Sequence, residues 1–170
     1  MPENILVGRP FGRTAVQYRK MLGKEVKPIK TECWRITVVL FCSLVGPVLC
    51  CNVYMPTNYD TMESIVEYAD VCSKLSVMFD DSDATTLLVA GDFNCDVNSR
   101  FSDMFTQFCH DKQLVSSDYP RLTDVFTYCS DDGLTQSWID HVVCSTSLDN
   151  LLESVLVMND IIALIIGLCP

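Results

Sequence analysis

Leu87-Leu88-Val89-Ala90-Gly91-Asp92-Phe93-Asn94 is an apolar run that stops at a glycine and then presents a carboxylate and a carboxamide. Such a run reads as a strand packed on both faces, and a glycine at its end lets the chain turn tightly. Asp92 and Asn94 are thereby held in place where the strand ends. A carboxylate and a neutral amide so placed suit a general base and a hydrogen-bonding partner that aim a water at phosphorus. Asp and Asn after a strand are equally what an ordinary turn prefers, so the segment alone sets a strand and a turn without setting a chemistry.

Two further strand ends extend the pattern. Cys51-Asn52-Val53-Tyr54 runs into Met55-Pro56-Thr57-Asn58. The proline ring holds φ near about −65° and pushes the preceding residue into an extended shape, which leaves Tyr54 at a rigid strand end with a polar loop beyond it. Downstream, Ser137-Trp138-Ile139-Asp140-His141-Val142-Val143-Cys144 places an acid inside an apolar strand. Alternation predicts Trp138, Asp140 and Val142 on one face, where an unpartnered carboxylate costs several kcal/mol. This separates Asp140 from the acids of Asp80 to Asp83 and Asp131-Asp132, which read as loop charges. His141 points the other way and reads as a structural or an exposed histidine.

Periodicity predicts strands over Thr14 to Arg19, Trp34 to Leu44 paired with Val48 to Tyr54, Leu87 to Gly91, Val125 to Tyr128, Trp138 to Cys144 and Val155 to Met158. It predicts two helices. Over Thr61 to Phe79 the apolar face is Met62, Ile65, Val66, Ala69, Cys72 and Phe79; over Phe101 to Asp111 it is Phe101, Met104, Phe105 and Phe108. Many strands, few helices and hairpin-like connections point to an α+β protein whose helices cover sheet faces. No repeat or linker divides the 170 residues, a length that suits one domain.

The cysteines sit mostly in apolar runs (Cys42, Cys50, Cys51, Cys144) with no CxxC pair, and Met1 to Gly8 has no leader-like pattern, which suits buried thiols in an intracellular protein. His110 and His141 lack a cysteine pair at zinc spacing. The uncharged stretch Ile36 to Met55 is broken by Gly46-Pro47 and rich in β-branched residues, so it reads as two strands, and Ile161 to Leu168 is too short for a spanning helix. No membrane association and no obligate protein partner is expected. Residues 1–35 carry eight Lys/Arg against three acids, a net of +5, and residues 36–170 carry four against nineteen, a net of −15. An acidic body repels a nucleic-acid backbone unless a divalent cation intervenes.

Phe11-Gly12-Arg13-Thr14-Ala15, Asn52 to Asn58, Leu88 to Asn94, Leu122-Thr123-Asp124-Val125-Phe126-Thr127 and Trp138-Ile139-Asp140-His141, in this order and spacing, resemble the endonuclease/exonuclease/phosphatase superfamily. Within it they are most similar to the endonuclease domain of non-LTR (LINE-type) retrotransposons. The resemblance implies a four-layer αββα sandwich of two mixed sheets flanked by helices, here incomplete, over residues 1–160, with 161–170 a divergent apolar tail. It implies Mg²⁺-dependent phosphodiester hydrolysis of DNA. Asp92 would activate or orient the water, Asn94 would hold the water or the phosphate, Tyr54, Thr57 and Asn58 would contact the phosphate, and Asp140 would orient a catalytic histidine.

Departures from the pattern are as informative. The superfamily has an Asn-bearing strand and a metal-binding Glu-bearing strand before the Gly8 to Gly12 region, and Met1 to Val7 matches neither, so no metal ligand is assigned. The terminal Ser-Asp-His segment is not found after Asp160, and Arg13 stands where a second glycine is usual. Asp140-His141 fits that terminal motif less well than it fits a strand, because Ile139 precedes it and a β-branched run follows. Impaired or absent catalysis, as in a relic of such an enzyme, and phosphatase or deadenylase activity on the same scaffold are the alternative expectations.

Overall fold

The computed structural model describes residues 5–6, 14–18, 26–43, 46–96, 99–123, 126–130, 132–157 and 164–168. Its elements are β1 (Ile5–Leu6), β2 (Val16–Gln17), β3 (Val26–Ile29), β4 (Ile36–Ser43), β5 (Gly46–Tyr54), α1 (Met62–Asp80), β6 (Thr86–Asp92), α2 (Ser102–Asp111) and β7 (Leu114–Ser116). They continue as β8 (Tyr128–Cys129), β9 (Gln136–Ser137), β10 (Asp140–Ser145), α3 (Thr146–Asp149), β11 (Leu152–Val157) and β12 (Leu164–Leu168). The segment Gly8 to Arg13, the cations Arg19, Lys20 and Lys24, and Leu44, Asp124, Val125, Asp131 and Met158 to Ala163 lie outside the described residues.

One mixed sheet, ordered β3-β4-β5-β6-β10-β7, organises the molecule. β4 and β5 form the hairpin read from the sequence, in register from Ile36↔Val53 to Ser43↔Gly46. β5 and β6 are parallel, joined by α1, while β10 runs antiparallel to β6. Central β6 is covered on both sides, as its unbroken apolar run requires. On one face Leu49, Cys51, Val53, Leu87, Val89 and Val143 meet Tyr68, Val71 and Leu75 of α1, Phe101 just before α2, and Phe105 and Phe108 of α2. On the other, Val48, Leu88, Val142 and Cys144 meet Leu148 of α3 and Leu152 and Val155 of β11.

β11 pairs with β12, so the apolar tail contributes a strand to a second, smaller sheet on that opposite face. β1 pairs with β2. Thr37 and Asn52, which face each other across β4 and β5, bind the chain just before β2: Thr37 Oγ1 donates to Thr14 O at 3.1 Å and Asn52 Nδ2 donates to Ala15 O at 2.6 Å. The architecture is thus α+β, helices against a six-stranded mixed sheet with small strands on its other face: an incomplete sandwich. No described helix is long and apolar enough to cross a membrane, and every described cysteine is a free thiol.

The helix ends follow the expected spans, but only part of the expected face of α1 is inward: Ile65, Cys72 and Phe79 pack against the core, while Met62, Val66 and Ala69 are exposed. Thr61 caps the helix by accepting the Ser64 N–H at 3.2 Å. Ser64, Tyr68, Val71 and Leu75 are buried, whereas Met62 and Val66 are 64% and 63% exposed. Apolar residues nearly encircle this helix, and the aromatic ring of Tyr68, stacked on Phe101 with centroids 4.3 Å apart, decides which side turns inward. β3 and β7 were not expected: β3 reads Val-Lys-Pro-Ile and β7 is only three residues long. Proline is tolerated in β3 because that strand is an edge.

Gly91 joins the core to the strand end. Its φ is +135°, and a Cβ there would lie 2.1 Å from Val53 O and 2.6 Å from Asn52 Oδ1. The chain then stays zipped to both neighbours, Met55 N–H donating to Asp92 O and Phe93 N–H to Ile139 O, each at 2.8 Å. Gly91→Ala is expected to destabilise the protein by roughly 3–5 kcal/mol in urea unfolding, strain and overpacking together. Gly133→Ala, at φ +70° with nothing within 4 Å, should cost only about 1 kcal/mol. Equal costs at the two positions would contradict the close approach.

Candidate active site

Tyr54, Asp92 and Asp140 stand in one row across three neighbouring strands. Tyr54 of β5 is the register partner of Asp92 of β6, which is the register partner of Asp140 of β10. Residues opposite one another in a ladder project to the same face, so three polar side chains converge where β5 and β6 end. The apolar residues below them on this face, Leu88, Val142 and Cys144, belong to the core shared with β11.

Burial shifts both carboxylates. Burial pushes the Asp92 carboxyl up to about 6; the Asn94 backbone N–H opposes this, the Asp140 charge reinforces it and His141 opposes it. Asp140 is 4% exposed and is also raised by burial, an effect reduced by the Thr127 hydroxyl. Thr127 Oγ1 accepts the N–H groups of Ile139 and Asp140, both at 3.0 Å, which leaves its own proton for the Asp140 carboxylate. Asp140 therefore has the partner that its position in an apolar strand demands.

Asn94 sits at φ +46°, a left-handed conformation that asparagine tolerates. Its backbone N–H donates to Asp92 Oδ1 and its Nδ2 to Met55 O, each at 2.8 Å. The carboxamide thus ties the Asp92 turn to the end of β5. Thr57 and Asn58 follow in the same half-buried loop, where Asn58 Oδ1 accepts the Asp60 N–H at 3.0 Å. The row and Asn94 are brought together; Thr57 and Asn58 lie on the loop that leaves Tyr54.

His141 is the structural histidine of the two readings. On the opposite face from Asp140, it is 1% exposed. Its Nδ1 lies 2.8 Å from Asp118 Oδ2 and its Nε2 lies 2.7 Å from Cys95 O. A carbonyl only accepts, so Nε2 carries a proton, and a second proton lies between Nδ1 and the carboxylate. The ring packs against Phe105 with centroids 5.4 Å apart, and against Phe93, Tyr119 and Trp138. Trp138 is accordingly not on the Asp140 face as alternation suggested: the regular strand begins only at Asp140, and Trp138 Nε1 donates back to Asp140 O at 2.9 Å. Asp118, wholly buried and receiving the Ser116 hydroxyl at 2.6 Å, gave no sequence signal because its partner lies 23 residues away. Thr127 and Arg35 were missed for the same reason.

Among the described residues no group of three or more His, Cys, Asp and Glu side chains is placed to hold a metal ion. Asp92 and Asp140 supply two hard oxygen donors, the number that suits Mg²⁺ held jointly by protein, water and a substrate phosphate.

No family profile and no curated protein sequence matches the chain. Among solved structures it is similar to the endonuclease domain of TRAS1, a telomere-specific non-LTR retrotransposon, with a TM-score of 0.60 and 17% identity over 81% of this chain and 64% of that one. The 3′ phosphatase NExo from Neisseria, bound to a product DNA hairpin, superposes with a TM-score of 0.57 and 15% identity over 78% of this chain and 62% of that one. An endonuclease/exonuclease/phosphatase family protein from Bacteroides thetaiotaomicron gives a TM-score of 0.50 and 20% identity over 74% and 45%. The chain spans less than two thirds of the length of each of these structures. On shape alone, it has the fold of the endonuclease/exonuclease/phosphatase proteins.

Proposed function

We propose that this chain acts on phosphate esters at the row of Tyr54, Asp92 and Asp140, and that its substrate is a phosphodiester of DNA. The observation that carries the reading is the register itself, which sets a phenol and two carboxylates side by side at the end of a buried strand. In its ionised form Asp92 accepts a proton from a water attacking phosphorus, and the bond to the leaving oxygen breaks. Asn94 keeps Asp92 in place and, with Tyr54, Thr57 and Asn58, positions the phosphate. Asp92 and Asp140 are the residues that would hold Mg²⁺, which supplies charge neutralisation when bound.

A catalytically silent relic is the second reading, and one observation favours it. Neither of the two histidines lies on the Asp140 face: His141 is buried behind the sheet, and His110 is exposed on α2 beside Asp111. Asp140 therefore has no histidine of this chain to orient, and turnover should be slow, since groups acting as a unit fail as a unit.

Supercoiled plasmid, incubated with Mg²⁺ or with chelator, separates the readings. Metal-dependent nicking that falls at least ~100-fold in Asp92→Ala supports the enzyme. No nicking at any Mg²⁺ concentration would leave the relic standing.

The same carboxyl carries a stability signature. Because the folded state raises the Asp92 pKa, its contribution is fully present below pH 3.8 and is lost as pH rises through about 6. Asp92→Asn retains the oxygen that accepts the Asn94 N–H while removing the buried charge. At pH 8 the variant should be more stable than wild type by roughly 1–3 kcal/mol in urea unfolding, a gain that vanishes at acid pH. A variant no more stable at pH 8 would refute the desolvated carboxylate.

A further inference from the structure

Beside the row lies an aromatic and cationic cluster to which the chemistry above gives no role. Arg35 stands just before β4 and is fixed on three sides. Its Nε and Nη2 donate to Glu67 Oε1 of α1 at 3.0 and 2.8 Å, and its Nη1 donates to Tyr54 O at 3.2 Å. The guanidinium carbon lies 4.2 Å from the centre of the Trp34 ring and 5.5 Å from that of Tyr54. Trp34 nevertheless remains 44% exposed, with its ring centre 6.3 Å from that of Tyr54.

A single exposed tryptophan is unremarkable on a protein surface. This one differs in two respects. Its orientation is set by a cation that is itself pinned by a carboxylate and a carbonyl, so little rotamer freedom is left to lose when a ligand stacks on it. Its neighbour Tyr54 is the first member of the row, in register with Asp92. A flat ligand resting on Trp34 would lie within the reach of the next unit of a chain whose phosphate sits at Asp92.

Charge narrows the ligand. The protein carries a net −10, and residues 36–170, which build the row, are the acidic part. Arg35 is already paired with Glu67. The described residues of the row supply carboxylates rather than a basic groove, the usual source of affinity for phosphates. Stacking on an aromatic face needs no positive charge and is worth about 1–3 kcal/mol per base.

We propose that Trp34, backed by Arg35, is a stacking platform for an unpaired nucleobase adjacent to the phosphate held at the Tyr54–Asp92–Asp140 row. The proposal rests on the nucleic-acid reading above and adds that the substrate is engaged through a splayed or single-stranded base. It makes Trp34 a binding residue and leaves the chemistry to the row.

Fluorescence anisotropy with two labelled strands tests it: a short oligothymidylate, and an abasic phosphodiester of equal length and charge, with Ca²⁺ present. Wild type should bind the base-bearing strand ~10-fold more tightly than the abasic one, with a shallow salt dependence. Trp34→Leu should bring that ratio close to one, and Trp34→Phe should keep most of it. A ratio unchanged in Trp34→Leu, or equal weakening on both strands, would overturn the platform while leaving the phosphate reading intact. Failure of wild type to bind either strand would overturn both.

Discussion

Two carboxylates sit side by side on adjacent strands, at a depth where neither is fully hydrated, and much of the surrounding structure answers that constraint. Asp92 and Asp140 are register partners, so neither can move away without breaking the β6–β10 ladder. Their mutual repulsion and shared desolvation are offset by small neutral donors: the Asn94 N–H on one, the Thr127 hydroxyl on the other. Burial outweighs those donors and raises both carboxyls, Asp92 to about 6, a condition that suits a group meant to take a proton near neutrality.

The two faces of the sheet divide the labour between adjacent residues. Asp140 faces the row, and His141, one residue on, faces the helices. There the imidazole bridges Asp118 and the Cys95 carbonyl inside a box of aromatic rings. Because Cys95 follows directly on Asn94, that bridge clamps from behind the turn that carries Asp92 and Asn94. Gly91 allows β6 to approach Val53 and Asn52, and Asn52 in turn holds the segment before β2. The row is held by backbone contacts on three sides, and buried scaffolding of this kind is how a strand end keeps a polar side chain in one orientation.

What could be read from the chain was what short-range pattern encodes. The β4–β5 hairpin, the span of α1 and the buried face of α2 follow from β-branched alternation and 3.6-residue spacing. Tyr54 and Asp92 stand out in the sequence because each closes an apolar run, and Asp140 because it interrupts one. The buried face of α1 was legible only in part, since Met62 and Val66 of the expected stripe face solvent and the packing of Tyr68 against Phe101 sets the inward side. Asp118 with His141, Thr127 with Asp140 and Arg35 with Glu67 are pairings between distant segments. Pattern within a window cannot report a partner that only the folded topology brings near.

The account depends on Asp92 and Asp140 sharing one desolvated pocket, and carboxyl-carbon NMR titration of Asp92 reads that directly. In the wild-type protein Asp92 should titrate near pH 6. In Asp140→Asn, with the neighbouring negative charge removed, its midpoint should move down. An Asp92 midpoint near the usual 3.8, indifferent to the Asp140 substitution, would contradict the shared pocket and with it the proposed chemistry.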